Sequence, residues 1–183
     1  MGLLDLFVMR GDAANELKGS ADIKIDAPPD KVYWLVSDVI RMRQWSPECY
    51  RCEWLGGVVV AEVGARFKGY DRHGKFNWST ICTVTESEPG KVFPFSTQPK
   101  GGKTQSLWRY ELKATSGGTR VQESFQVLWW TKPLVLLKFG GRQSRLTQLQ
   151  EGVRDSLKRF KVIAEMPIPA AATGVHAGYK PVS

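Results

Sequence analysis

Cysteine, histidine and one acidic residue among aromatics are where this chain could do chemistry. Cys49 and Cys52 form a C-x-x-C inside S-P-E-C-Y-R-C-E-W-L-G-G, residues 46–57. That spacing serves zinc knuckles and thioredoxin-like redox centres. Zinc needs four ligands, and the remaining candidates are Cys82, His73 and His176, none of them in a second knuckle at suitable spacing. A redox centre opens a helix after a strand; here the motif falls where a short helix has ended and a run of strands begins. The cysteines therefore read as small apolar side chains, and no metal or cofactor is expected. With only two histidines, one in a predicted turn and one near the C-terminus, no Ser-His-Asp or Cys-His arrangement is credible. Neither a GxGxxG nor a Walker loop is present, so the Gly-Gly pairs read as turns.

The surviving candidate is Glu123, and strand pairing decides what surrounds it. After a lead-in over residues 1–18, A-D-I-K-I-D-A alternates with period two as a strand does. Prolines 28 and 29 then open a helix carrying Val32, Leu35 and Val36, and a second short helical piece covers 39–44 up to Ser46-Pro47. From Cys52 to about Trp130 Gly-containing turns at 56–57, 72–75, 88–90, 100–103 and 116–118 divide the chain into about six strands.

Three turns supply trial registers. Pairing Arg72 with Lys75 sets Phe67 against Thr80, and pairing Glu86 with Lys91 sets Val84 against Phe93 and Cys82 against Phe95. Pairing Ala114 with Thr119 sets Leu112 against Val121, Tyr110 against Glu123 and Trp108 against Phe125. All three place Phe67, Trp78, Thr80, Cys82, Phe93, Phe95, Trp108, Tyr110, Glu123, Phe125 and Trp129 on one face, with Arg, Lys, Ser and Gln on the other. A slip of one residue would exchange the faces, so the agreement is informative. Trp45 and Trp54 fall at the entrance side of that face. Beyond Lys132-Pro133 the period becomes helical, with Leu146, Leu149, Val153, Leu157, Phe160 and Ile163 on one stripe and a break at Gly140-Gly141. An apolar sheet face must be covered, and this long helix is the element large enough to do it. Residues 166–183 show no periodicity and read as a disordered tail.

Bulk properties fit a single domain. The formal charge of +8 is spread without a run of five or six basic residues. It reads as a solvated exterior rather than a nucleic-acid site, although peripheral contact with an anionic membrane stays open. No apolar run reaches the ~20 residues of a membrane span. The opening M-G-L-L-D-L-F-V-M-R makes a poor signal peptide, and Leu6 spoils a myristoylation motif. Three cysteines do not make a disulfide framework, so a reducing cytoplasm is the expected compartment. Nothing separates a monomer from a homodimer.

The order of elements, with A-P-P-D-K-V-Y-W-L-V-S-D, R-Q-W-S-P-E-C, V-G-A-R-F-K-G-Y, S-L-W-R-Y-E-L, G-G-T-R-V-Q-E-S-F and E-G-V-R-D-S-L-K-R-F-K, resembles the START-related helix-grip superfamily, SRPBCC. The resemblance covers about residues 19–165 and implies an α+β fold: a curved antiparallel sheet of about seven strands wrapped on a long C-terminal helix, with two short helices after the first strand. It also implies a cavity between sheet and helix, and it transfers no catalytic residue set. The leading expectation is binding of a hydrophobic small molecule such as a lipid, polyketide or aromatic metabolite, oriented by Glu123 or Tyr110. An alternative is a polyketide cyclase, aromatase or dehydratase in which Glu123 and Tyr110 move protons.

Overall fold

The structure, a computed structural model, describes residues 18–99, 102–128 and 133–167. The expected lead-in before Lys18 and the tail beyond residue 167 lie outside the described residues, as does Trp129. The chain runs β1 (Lys18–Ile25), α1 (Pro29–Ser37), a 3-10 turn (Val39–Gln44), β2 (Cys49–Trp54), β3 (Arg66–His73), β4 (Phe76–Val84), β5 (Val92–Pro99), β6 (Ser106–Thr115) and β7 (Gly118–Val127). Then follow α2 (Pro133–Leu136), a 3-10 turn (Leu137–Phe139) and α3 (Arg142–Glu165). The strands form one seven-stranded sheet in the order β1-β7-β6-β5-β4-β3-β2. Every pairing is antiparallel. This is the helix-grip architecture that the sequence implied, with α1 and the first 3-10 turn as its two short helices.

The register is right for one hairpin and displaced for two. Tyr110 lies opposite Glu123 and Trp108 opposite Phe125, as Ala114-Thr119 pairing requires. In the β3–β4 hairpin, however, His73 pairs with Phe76, so Phe67 faces Cys82 rather than Thr80. In the β4–β5 pair Val84 faces Phe95 rather than Phe93. The tight β3–β4 turn is Gly74-Lys75, where Gly74 has φ 58°, and the left-handed residue belongs at the corner itself. Both displacements are two residues, an even number, so every side chain stayed on its expected face.

Burial confirms the two-faced sheet. Phe67, Cys82, Val84, Phe93, Phe95, Tyr110, Leu112, Val121, Phe125 and Val127 are all buried. α3 crosses this face with Val153, Leu157 and Phe160 buried beneath it, while Leu146, Leu149 and Ile163 are partly buried. Each fully buried large side chain contributes about 1.5–3 kcal/mol. Its C-terminal turn is tied to β1 by Lys161 Nζ donating to the Lys24 carbonyl at 2.8 Å and Asp26 N–H donating to Glu165 at 2.7 Å. Gly140 and Gly141, at φ 77° and 97°, break the chain just before α3, where the sequence expected a kink. Among the described residues no helix is long and apolar enough to cross a membrane.

Candidate functional site

Sheet and helix do not close completely on each other. Between them lies a cavity of about 300 Å³, bounded by β2 to β7, α2 and one stripe of α3. That volume is at the lower end for sites that enclose small organic ligands.

The inner end is polar and shut off from solvent. Tyr110 and Glu123 are each 3% exposed. The Tyr110 hydroxyl donates to Glu123 Oε1 at 2.8 Å, as the register places them. Ser156, projecting from α3, stands beside both. Burial pushes the Glu123 carboxyl up to about 7, and the Tyr110 and Ser156 hydroxyls offset part of that rise. Burial and the neighbouring carboxylate together hold Tyr110 protonated. Glu123 lines the cavity, and its buried Oε2 has no hydrogen-bond partner among the described residues. A carboxyl poised near neutrality can donate or accept a proton within a water-poor space.

The middle of the cavity is apolar. Phe67, Phe95 and Trp108 line it, with Cys82 and Thr80 from β4. All three cysteines are free, buried and part of this wall. Cys49 and Cys52 share a face because β2 slips register between Cys49 and Arg51. Their sulfurs stand 3.3 Å apart. The adjacent Cys49 thiol and burial push Cys52 far up, and burial does the same to Cys82, so both stay protonated. Among the described residues no cluster of three or more His, Cys, Asp or Glu is placed to hold a metal ion.

At the outer end aromatic rings and charges meet. Trp78 stacks on Phe76 at 5.4 Å, and Phe139 sets its edge against both at 5.5 and 5.6 Å. The Arg145 guanidinium lies 4.2 Å from the Phe139 ring centre. It also pairs with Glu48 through both nitrogens, one contact being 2.8 Å. Asp71 reaches the cavity beside this pair. Burial and the Glu48 charge push the Asp71 carboxyl up to about 7, against the pull of Arg145. Replacing Arg145 by Met leaves two carboxyls without their cation. The Asp71 midpoint, followed by carboxyl-carbon NMR, is therefore expected to move above 7, and an unchanged midpoint would mean Arg145 does not act on Asp71.

Eight of the residues named from sequence line the cavity: Phe67, Trp78, Thr80, Cys82, Phe95, Trp108, Tyr110 and Glu123. Four do not. Trp45, expected at the entrance, is completely buried and packs edge-on against Phe160 at 5.1 Å. The 3-10 turn before it carries the chain beneath α3 instead of around the rim. Trp54 is partly buried and packs on Phe67 at 5.5 Å, outside the cavity lining. Phe93 and Phe125 belong to the surrounding core, because the sheet face is longer than the void and α1 also packs on β5, β6 and β7.

Other lining residues escaped the sequence reading. Asp71, Phe76, Thr97 and Ser106 share the parity of Phe67, Trp78, Phe95 and Trp108, so extending the alternation would have found them. Arg145, Gln148, Gly152 and Ser156 form a helical stripe at spacings of three and four. It is polar or small, so apolar periodicity passes over it. Glu48 and Phe139 come from connections, where no periodicity operates.

A family model described as polyketide cyclase / dehydrase and lipid transport matches residues 16–164. Comparison with curated proteins gives no match. Among solved structures, a polyketide-cyclase-like protein of Corynebacterium glutamicum is 28% identical with a TM-score of 0.58, over 84% of this chain and 94% of that one. A protein of Chromobacterium violaceum is 18% identical at a TM-score of 0.62, over 82% and 99% of the two chains. A di-domain ARO/CYC from the steffimycin biosynthetic pathway is 15% identical at a TM-score of 0.62, over 81% of this chain and 50% of its own. The last two likenesses speak for the fold.

Proposed function

Because the chain belongs to the polyketide cyclase / dehydrase and lipid transport family, we propose that it binds a hydrophobic small molecule in the cavity between sheet and α3. The observation that carries this reading is Glu123, which lines an otherwise largely apolar void and whose buried Oε2 has no partner among the described residues. An unsatisfied buried acceptor costs about 1–3 kcal/mol, and a ligand hydroxyl donating to it at the inner end would relieve it. Phe67, Phe95 and Trp108 supply shape and apolar surface, as such pockets do. Free buried thiols suit a reducing compartment such as the cytoplasm.

A second reading, an enzyme of the cyclase, aromatase or dehydratase kind, is favoured by one feature. Glu123 titrates near 7 and is hydrogen-bonded to a phenol, which suits it to shuttle a proton at neutral pH. Confinement of a reactive chain would do the rest by positioning.

Native mass spectrometry of protein purified from its source host is expected to show a retained small molecule, released on denaturation. Protein that carries nothing and, once stripped, takes up no apolar probe would sink both readings. The two part on Glu123→Gln, which under the enzyme reading abolishes turnover while product still binds, and under the binding reading changes affinity alone.

A further inference from the structure

Glu123 is not the only cavity-lining residue with a buried oxygen that lacks a hydrogen-bond partner among the described residues. Gln148 lines the cavity from α3, and its Nε2 donates to the Phe139 carbonyl at 3.0 Å and lies 3.1 Å from Ser144 Oγ. A carbonyl only accepts, so the amide nitrogen must point that way. Gln148 Oε1 is left buried and without a hydrogen-bond partner among the described residues. On the same helix face, one turn earlier, Arg145 is engaged by Glu48. Asp71 adds a carboxyl to this end, and no hydrogen bond from another described residue reaches it. Gln148 and Ser156, the latter beside Glu123, are both on α3, so its rise of 1.5 Å per residue sets the two ends about 12 Å apart.

Resting on the reading of the cavity as a ligand site, we propose that its ligand is elongated and oxygenated at both ends. One group bonds Glu123 Oε2 at the inner end. The other is a hydroxyl that donates to Gln148 Oε1 at the outer end, with Asp71 beside it. The span between them is apolar and rests on Phe67, Phe95 and Trp108. Gln148 Oε1 can only accept, so the outer group must carry a hydrogen. A ligand with one polar end would leave one of the two buried oxygens unsatisfied.

A chemical ruler tests this. Binding of linear α,ω-alkanediols, the matching 1-alkanols and the parent alkanes is measured on stripped protein across a series of chain lengths. The diol is expected to bind about ten-fold more tightly than the alkanol at one chain length, where its oxygens stand about 12 Å apart, with the gain falling on either side. Gln148→Met should erase that gain and leave alkanol affinity in place; Asp71→Asn, which keeps a polar group, should reduce it less. Equal binding of diols and alkanols at every length, or a diol preference that survives Gln148→Met, overturns the two-ended ligand. Should no member of the series bind at all, the cavity reading itself falls, which is a separate result.

Discussion

Replacing Glu123 by Gln is expected to stabilise the protein at pH 8 and leave its stability unchanged at pH 4. The carboxyl has an ordinary value of 4.5, and burial raises it to about 7 in the folded chain. Below pH 4.5 it is protonated folded and unfolded, and contributes nothing that Gln would alter. Between 4.5 and 7 the unfolded chain gives up its proton while the folded chain keeps it. The native state then binds more protons than the unfolded one, so stability falls as pH rises. Above 7 the loss is complete, and at about 1.4 kcal/mol per pH unit it amounts to roughly 3 kcal/mol. Gln keeps an oxygen for the Tyr110 hydroxyl and carries no charge to desolvate. Urea unfolding at pH 4, 6 and 8 checks this. Equal wild-type and variant stability at all three values would show that Glu123 ionises inside the protein without penalty.

Trp45→Ala is expected to cost about 3–5 kcal/mol, at the top of the range for single substitutions. The indole is completely buried and its ring meets Phe160 edge-on at 5.1 Å, under the C-terminal half of α3. Truncation opens a void where helix, 3-10 turn and Tyr110 converge. A Trp at an exposed rim would give less than about 1 kcal/mol, so chemical denaturation separates the two locations directly. Trp45→Phe, which keeps most of the ring contact, should recover the larger part of the loss. A small cost for Trp45→Ala would return this residue to the entrance.

These two residues also mark what the sequence could and could not convey. Glu123 was legible because strands alternate strictly and the turn before β7 is short, so parity and register together set it against Tyr110. Parity survived even where the β3–β4 and β4–β5 registers moved, because both moved by two. Trp45 was not legible, since it leaves a 3-10 turn whose exit direction depends on what packs above it. The polar stripe of α3 was missed for a related reason: amphipathic periodicity reports the side chains that fill a core, and Gly152 and Ser156 are there because they do not. Gln148 is the clearest case, being unremarkable in sequence and decisive only once its amide nitrogen is seen committed to the Phe139 carbonyl.

The register slip in β2 that turns Cys49 and Cys52 onto one face has an effect on the opposite side of the same strand. Among the described residues β2 closes the sheet at one end and pairs along one side only, with β3. Such a border is an open template on which a foreign strand could polymerise. The irregularity at residue 50 interrupts that template near its start, and the charged, solvent-exposed Arg51 follows at once. A chain docking there would find its ladder broken after a single residue. The kink that brings sulfur into the cavity wall thus also shortens the regular edge that β2 offers to a docking strand.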